Sequence, residues 1–286
     1  MNRTDYDFLC SFLKQKSGLV LNGDKQYLVE SRLTPIARKH NIASLEALVG
    51  QVRSKPSGPV AEAIIDAMTT NESFFFRDRT PFDLFNNVML PHMQKERASA
   101  RRMKIWCAAA STGQEPYSLA MCLKEKSASL AGWNFDILGT DISDTVLAKA
   151  KQGIYSQFEV QRGLPVQLLL KYFTQIGETW QINAPIRSMV QYRKLNLLEN
   201  FSTIGTADIV FCRNVLIYFD QKTKSDILAR ISKLMAPDGF LVLGAAETVV
   251  GLSSSFEPVP GQRGLYRVAQ AGAAKSSTTM PLRAVG

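Results

Sequence analysis

Histidine is nearly missing from this chain, with His40 and His92 the only two in 286 residues. Four cysteines, Cys10, Cys107, Cys122 and Cys212, stand far apart and form no C-x-x-C pair. Neither set has the spacing of a zinc site, so no metal is expected and the thiols are expected buried and reduced. No apolar run approaches the ~18 residues of a membrane span, and the most apolar late stretch, Phe240 to Leu252, is interrupted by Glu247. The opening MNRTDYDF lacks the apolar segment of a secretory signal. A cytosolic protein without membrane insertion is therefore expected. There is no G-x-x-x-x-G-K-[ST] string, which argues against a P-loop NTPase, and no G-x-G-x-x-G dinucleotide fingerprint. No internal repeat is present, and no long heptad or exposed apolar stripe, so a monomer is expected.

Apolar residues, at 45%, are ample for a core, and 21% charged residues is ordinary. The formal charge of +9 points to an acidic partner: nucleic acid, anionic lipid or a negative protein surface.

The first 90 residues read as a helical domain. Phe8, Leu9, Phe12 and Leu13 make one stripe, with Thr4 as the expected N-cap. Tyr27, Leu28, Leu33 and Ile36 mark a second helix, which Pro35 should bend or shorten. Leu45, Leu48, Val49 and Val52 mark a third, and Val60, Ile64, Ile65 and Met68 a fourth. Thr80-Pro81 should open another helix running towards Met89. The basic KERASARRMK, residues 95–104, reads as a linker, placed at 91–102 between the two domains. From 103 to 268, apolar runs of strand length (Met103–Cys107, Phe135–Leu138, Ala207–Cys212, Phe240–Leu243) alternate with helical stretches (Glu115–Leu123, Asp144–Lys151, Lys222–Met235). That alternation predicts an α/β domain with a parallel sheet covered on both faces. Pro237-Asp238-Gly239 reads as a turn. Around 155–194 the alternation breaks: a helix-like PVQLLLKYF precedes ETWQIN and RSMVQYRKL, read as a small antiparallel β insertion. The tail, 269–286, has little apolar bulk and is expected disordered.

The stretch WCAAASTGQEPYS (Trp106–Ser118) follows one of these strands and opens a helix, as nucleotide-binding turns do. Its one glycine, Gly113, is too few to close backbone on a pyrophosphate. S-adenosyl-L-methionine has no phosphate, so small side chains and one glycine suffice. Asp141 ends the next strand, FDILGTD, where a carboxylate accepts hydrogen bonds from ribose hydroxyls. The alternative is that Asp141 only caps the helix beginning near Ser143.

Three strings, TTNESFFFR (Thr69–Arg77), AAASTGQEPYS (Ala108–Ser118) and FCRNVLIYFD (Phe211–Asp220), resemble the chemotaxis receptor glutamate O-methyltransferases, the CheR family. LNLLE (Leu195–Glu199) and the helical N-terminal region fit as well. The resemblance implies a helical substrate-recognition domain followed by a class I, Rossmann-like methyltransferase domain. It also implies transfer of methyl from S-adenosyl-L-methionine to receptor glutamates, leaving S-adenosyl-L-homocysteine. By this resemblance Asn71, Ser73 and Arg77 contact the cofactor, Glu115 lies near its amino-acid end, and Asp141 lies on the ribose. Asn196 and Leu197 lie near adenine, and Asn214 and Val215 follow the fourth strand. Ser73 stands where threonine is common. The hairpin around Ile176 to Pro185 looks shorter than in members that bind a receptor's C-terminal pentapeptide, which puts that tether in doubt.

A glutamate is already ionised at neutral pH, so its attack on a sulfonium methyl needs no general base. Arg77 is the candidate for holding the incoming carboxylate, the alternative being an ion pair with Asp78 or Glu72. Tyr218 would line the transfer channel, or else be a packed aromatic. Phe74-Phe75-Phe76 reads as core packing. Arg32, Arg38 and Lys39 on the second helix would meet an acidic receptor helix, although a charged helix face is often merely solvated. Two rivals remain: a nucleic-acid methyltransferase, disfavoured because no [DNS]-P-P-[YF] string follows the fourth strand, and a non-catalytic sensor of the same cofactor.

Overall fold

The computed structural model describes residues 1–21 and 25–269; the expected tail beyond Ala269 lies outside the described residues. Four helices come first: α1 (Arg3–Ser17), α2 (Gln26–Lys39), α3 (Leu45–Ser54) and α4 (Pro59–Met68). They enclose a core of their own, in which Leu9, Leu13, Leu33, Leu48, Val49 and Ile64 are fully buried. The cap of α1 is Asn2 rather than Thr4: its side chain accepts from the Asp5 N–H at 2.8 Å, so the helix starts one residue before Thr4. Pro35 neither shortens nor ends α2, which runs on to Lys39. The buried line of α2 is Val29, Leu33 and Ala37, while Tyr27 is 84% exposed.

The next helical stretch comprises α5 (Thr80–Leu84), a π-helical turn (Phe85–Met89) and α6 (Leu90–Glu96). Its apolar residues Phe82, Phe85, Met89, Leu90 and Met93 pack with the sheet, not with α1–α4. The helical domain expected over 1–90 thus has its own core only as far as Met68. The expected linker over 91–102 is also partly structure. It begins inside α6, and Arg97 fixes it to the sheet by bonding Asp208 at 3.0 Å and Asp238 at 2.7 and 2.6 Å.

The sheet is built from β1 (Arg102–Ala108), α7 (Gln114–Glu125), β2 (Asn134–Asp141), α8 (Asp144–Gln152), then an insertion, and then β6 onward. The insertion holds β3 (Ile154–Ser156), α9 (Gln157–Gln161), α10 (Val166–Tyr172), β4 (Phe173–Ile176) and β5 (Thr179–Ile182), the strands forming a small antiparallel sheet in the order β3-β5-β4. It is followed by α11 (Ala184–Arg187), β6 (Val190–Lys194), β7 (Ala207–Cys212), α12 (Gln221–Leu234), β8 (Met235–Leu243), β9 (Phe256–Pro258) and β10 (Leu265–Val268). The main sheet has the order β6-β2-β1-β7-β8-β10-β9. Its first five strands are parallel, and β10 and β9 are antiparallel to their neighbours.

Two expectations fail here. RSMVQYRKL does not form an antiparallel strand of the insertion: β6 pairs in parallel with β2 at the edge of the main sheet. Pro237-Asp238-Gly239 is not a turn but part of β8, where the pairing with β7 shifts register after Ala207. Gly239 is needed there, because a Cβ would sit 2.7 Å from the Asp208 carbonyl. Side chains alternate along β1 as a parallel strand buried on both faces requires: Met103, Ile105 and Cys107 face one layer, Trp106 and Ala108 the other. Cys107, Cys122 and Cys212 are buried free thiols, and Cys10 is half-buried. No exposed apolar stripe is expected from the sequence, yet Val166 and Leu170, one turn apart on α10, and Phe158 of α9 are about 70% exposed. Among the described residues no helix is long and apolar enough to cross a membrane, and no cluster could hold a metal ion.

Candidate active site

The turn between β1 and α7 lies at the carboxyl end of the parallel strands, where open α/β sheets bind ligands. It has one glycine, yet three of its residues are left-handed: Ala109 (φ 58°), Ser111 (φ 50°) and Gly113 (φ 94°). For the two non-glycine residues this conformation costs about 1–2 kcal/mol each. The surroundings enforce it. The Ser111 N–H donates to Asp141 Oδ2 at 2.8 Å, and its hydroxyl donates to the Asn71 carbonyl at 2.8 Å. Tyr155 from the insertion donates to the Thr112 carbonyl at 2.7 Å. At Gly113 a Cβ would lie 2.6 Å from the Tyr192 hydroxyl oxygen. A scarcity of glycine therefore does not mean an ordinary backbone here.

Above this turn opens a cleft of about 860 Å³. It brings together Asn71, Ser73 and Arg77 from the segment after α4, Glu115 from the first turn of α7, and Asp141 from the end of β2. Asn214, Val215 and Tyr218 join them from the loop after β7. Asn196 and Leu197 line an adjoining lobe of about 300 Å³, which shares Asp141 and Val215 with the main cleft. The N-terminal domain supplies Ser17 and Leu19 to the wall. It is clasped there by three contacts: Asn196 Nδ2 to the Lys16 carbonyl (2.7 Å), the Val20 N–H to the Tyr218 carbonyl (2.9 Å), and Lys14 to Asp220 (2.8 Å).

Asp141 is buried and, among the described residues, accepts from backbone N–H groups, those of Ser111 at 2.8 Å and Ser143 at 3.1 Å foremost. Burial pushes its carboxyl above the usual range, opposed by those N–H groups. The capping alternative is not realised: Ser143 caps α8 by accepting from the Val146 N–H. Glu115 is also pushed up by burial, and Arg213 opposes the shift. Arg213 donates to Glu115 Oε2 at 2.6 Å, to Asp78 Oδ2 at 2.8 Å and to the Arg77 carbonyl at 2.9 Å. So Glu115 meets a fixed cation before any ligand.

Arg77 forms no ion pair among the described residues. Glu72 is taken by Arg162 and Asp78 by Arg213, while Arg77 Nη1 donates to the Glu72 carbonyl at 2.7 Å. The Tyr218 hydroxyl makes no hydrogen bond among the described residues and lines the cleft half-exposed. Phe75 is fully buried, as expected of the aromatic run, with Phe74 and Phe76 half-buried. Arg32 is not free for a partner, because its guanidinium caps α4 by donating to the Met68 carbonyl at 2.9 Å and the Thr69 carbonyl at 3.3 Å. Arg38 and Lys39 are exposed.

Two site residues escaped the sequence. Arg213 had a signal, a charge directly after an apolar strand at the ligand-binding edge. Glu247 had none. Its carboxylate accepts from the N–H groups of Asn214 (2.8 Å), Val215 (3.0 Å) and Gly244 (2.8 Å), and so holds Asn214 in its left-handed conformation at φ 56°.

The family description "CheR methyltransferase, SAM binding domain" matches residues 71–265, and "CheR methyltransferase, all-alpha domain" matches residues 4–69. The chain belongs to the CheR family. Chemotaxis protein methyltransferase Cher2 of Pseudomonas putida is 40% identical over 265 residues, covering 91% of this chain and 96% of its own. Chemotaxis protein methyltransferase 1 of Pseudomonas aeruginosa is 40% identical and covers 92% and 97%; the Vibrio cholerae protein of that name is 40% identical and covers 89% and 93%. The CheR domain border, between 69 and 71, coincides with the end of the α1–α4 core at Met68.

S-adenosyl-L-methionine is the cofactor, and the cleft fits it. Asp141, a buried carboxylate with no cationic partner among the described residues, suits ribose hydroxyls, and the lobe beside it at Leu197 is mostly apolar. Glu115 and Arg213 together offer opposite charges for a zwitterionic amino acid. Asp141→Asn is expected to weaken binding of the demethylated cofactor about 30-fold, because an amide NH₂ would face either the Ser111 or the Ser143 N–H. Titration calorimetry checks this, and an unchanged affinity would mean that Asp141 does not hold the ribose.

Proposed function

We propose that this CheR protein transfers a methyl group to the side-chain carboxylate of glutamates in chemotaxis receptors, forming methyl esters in the cytoplasm. The observation that carries the reading is Arg77, a cation on the cleft with both neighbouring carboxylates engaged elsewhere. The names of the relatives supply the receptor, and Arg77 suits its carboxylate.

The cofactor, when bound, supplies a methyl group activated by a sulfonium. The protein's own part is to bind, orient and exclude water. Asp141 and the adjoining lobe at Asn196 and Leu197 would hold the nucleoside, and Asn71, Ser73, Glu115, Asn214 and Val215 the rest of the cofactor. Arg77 would orient the receptor carboxylate with two parallel hydrogen bonds, and Tyr218 would line its approach. No base is required, since a glutamate is ionised at neutral pH. Alignment of the two reactants is the main contribution, of about 7–11 kcal/mol at most.

Receptor recognition would fall to Arg38 and Lys39 on α2, with Arg32 serving the α4 terminus instead. The β4–β5 hairpin turns through Gly177 and Glu178 alone, with Ile176 paired to Thr179. So short a hairpin argues against a pentapeptide tether. The enzyme is taken to act as a monomer.

Incubation with labelled S-adenosyl-L-methionine and receptor-bearing membranes, followed by base, tests the reading. Methyl esters release volatile methanol; base-stable label would mean methylation at nitrogen and overturn it. Cofactor binding with no transfer at all would point to a sensor.

A further inference from the structure

The insertion grips the segment that carries Arg77. Arg162 follows α9 and donates to Glu72 Oε1 at 2.5 Å, and its guanidinium lies 4.4 Å from the centre of the Phe74 ring. Arg77 uses the same two residues. Its guanidinium lies 5.4 Å from that ring, and it donates to the Glu72 carbonyl. One aromatic ring and one glutamate are thus shared by two arginines, one on the cleft and one on the insertion. Both ring distances fall within the ~6 Å over which a cation is attracted to an aromatic face.

The backbone beneath is equally close. Gly163 has φ 84°, and a Cβ there would come 2.1 Å from the Phe75 carbonyl oxygen. Phe75 in turn meets Tyr155 and Phe173 of the small sheet edge-on, with ring centres 5.0 and 5.5 Å away. The segment from Glu72 to Phe75 is therefore held by the insertion through both its buried and its exposed side chains.

We propose that Arg162 is a positioning residue for the methyl transfer: it fixes Glu72 and Phe74, and through them the orientation of Arg77. This rests on Arg77 holding the receptor carboxylate. Arg162 is 42% and Glu72 53% exposed, so their ion pair adds little to folding. Its effect is on the freedom of the Arg77 side chain, whose own contacts among the described residues are the bond to the Glu72 carbonyl and the Phe74 ring.

A double-mutant cycle tests it on the full chain with receptor membranes. Arg162→Ala is expected to lower kcat about fivefold with little change in receptor KM. The melting temperature and the affinity for S-adenosyl-L-homocysteine should be unchanged. Arg162→Lys, which keeps the charge but not the planar guanidinium, should recover part of kcat, and Glu72→Gln should lose as much as Arg162→Ala. In an Arg77→Ala background, Arg162→Ala should cost nothing further. An equal loss in both backgrounds, or a loss confined to KM or stability, would overturn the proposal. So would an unchanged kcat in Arg162→Ala while Arg77→Ala is impaired. If Arg77→Ala itself turns over normally, the role given to Arg77 fails, and this one with it.

Discussion

Arg77→Ala is expected to lower methyl-ester formation about a thousandfold, while affinity for S-adenosyl-L-homocysteine falls less than about fivefold. The asymmetry follows from what Arg77 touches. Its guanidinium has no carboxylate partner among the described residues and rests on the Glu72 carbonyl and the Phe74 ring. The cleft has other proposed anchors for the cofactor, with Asp141 and the Glu115–Arg213 pair both on its lining. Removing Arg77 leaves those in place and takes away the group proposed to align the attacking oxygen. Single-turnover rates and calorimetry measured on the same preparation give the comparison. Equal losses in rate and affinity would make Arg77 a cofactor ligand and nothing more.

Arg213→Ala should damage the fold severely, by about 3–5 kcal/mol, because it strips a buried carboxylate of its partner. The Arg213 side chain is 2% exposed, and that of Glu115 12%. Asp78, at 40% exposed, would be rehydrated at little cost. Loss of Arg213 also removes the main group that opposes the upward push of burial on Glu115, so its carboxyl would titrate higher still. The native protein would then bind a proton that the unfolded chain, with an ordinary glutamate, releases. Stability lost at neutral pH should be partly regained as pH falls towards the ordinary glutamate value, so the deficit relative to the parent narrows on acidification. Urea titrations across that range check both size and sign; a deficit independent of pH would mean Glu115 is not the group left behind. Arg213→Met, which keeps the volume, should show the same pH trend with a smaller loss of packing.

The parallel strands could be read from the chain because burial on both faces leaves uninterrupted apolar runs, as in Ala207–Cys212. β6 defeated that reading because it lies at the edge and buries only Val190 of its five residues, so its VQYRK looks like a solvated antiparallel strand. The Thr80-Pro81 start marks a helix towards Met89 but neither its continuation to Glu96 nor its partner, since a stripe of Phe82, Phe85 and Met89 fits a helix bundle or a sheet equally well. Asp141 was readable because strand end and carboxylate coincide in one short string. Glu247 was not, because the N–H groups it accepts from at Asn214 and Val215 lie more than thirty residues upstream. Arg213 and Glu115 are 98 residues apart, and only the fold makes them a pair.

The clasp between the end of α1 and the loop after β7 bears on how new receptor preferences could be made. Gly18 is left-handed at φ 76°, and a Cβ there would lie 2.6 Å from the Phe219 ring. Lys14, Lys16 and Val20 each bond across to the methyltransferase domain. The helical region is therefore not an interchangeable cassette. A chimera joined at residue 70 would import a foreign wall to the cofactor cleft, so recombination among relatives must carry the α1 end and the loop after β7 together.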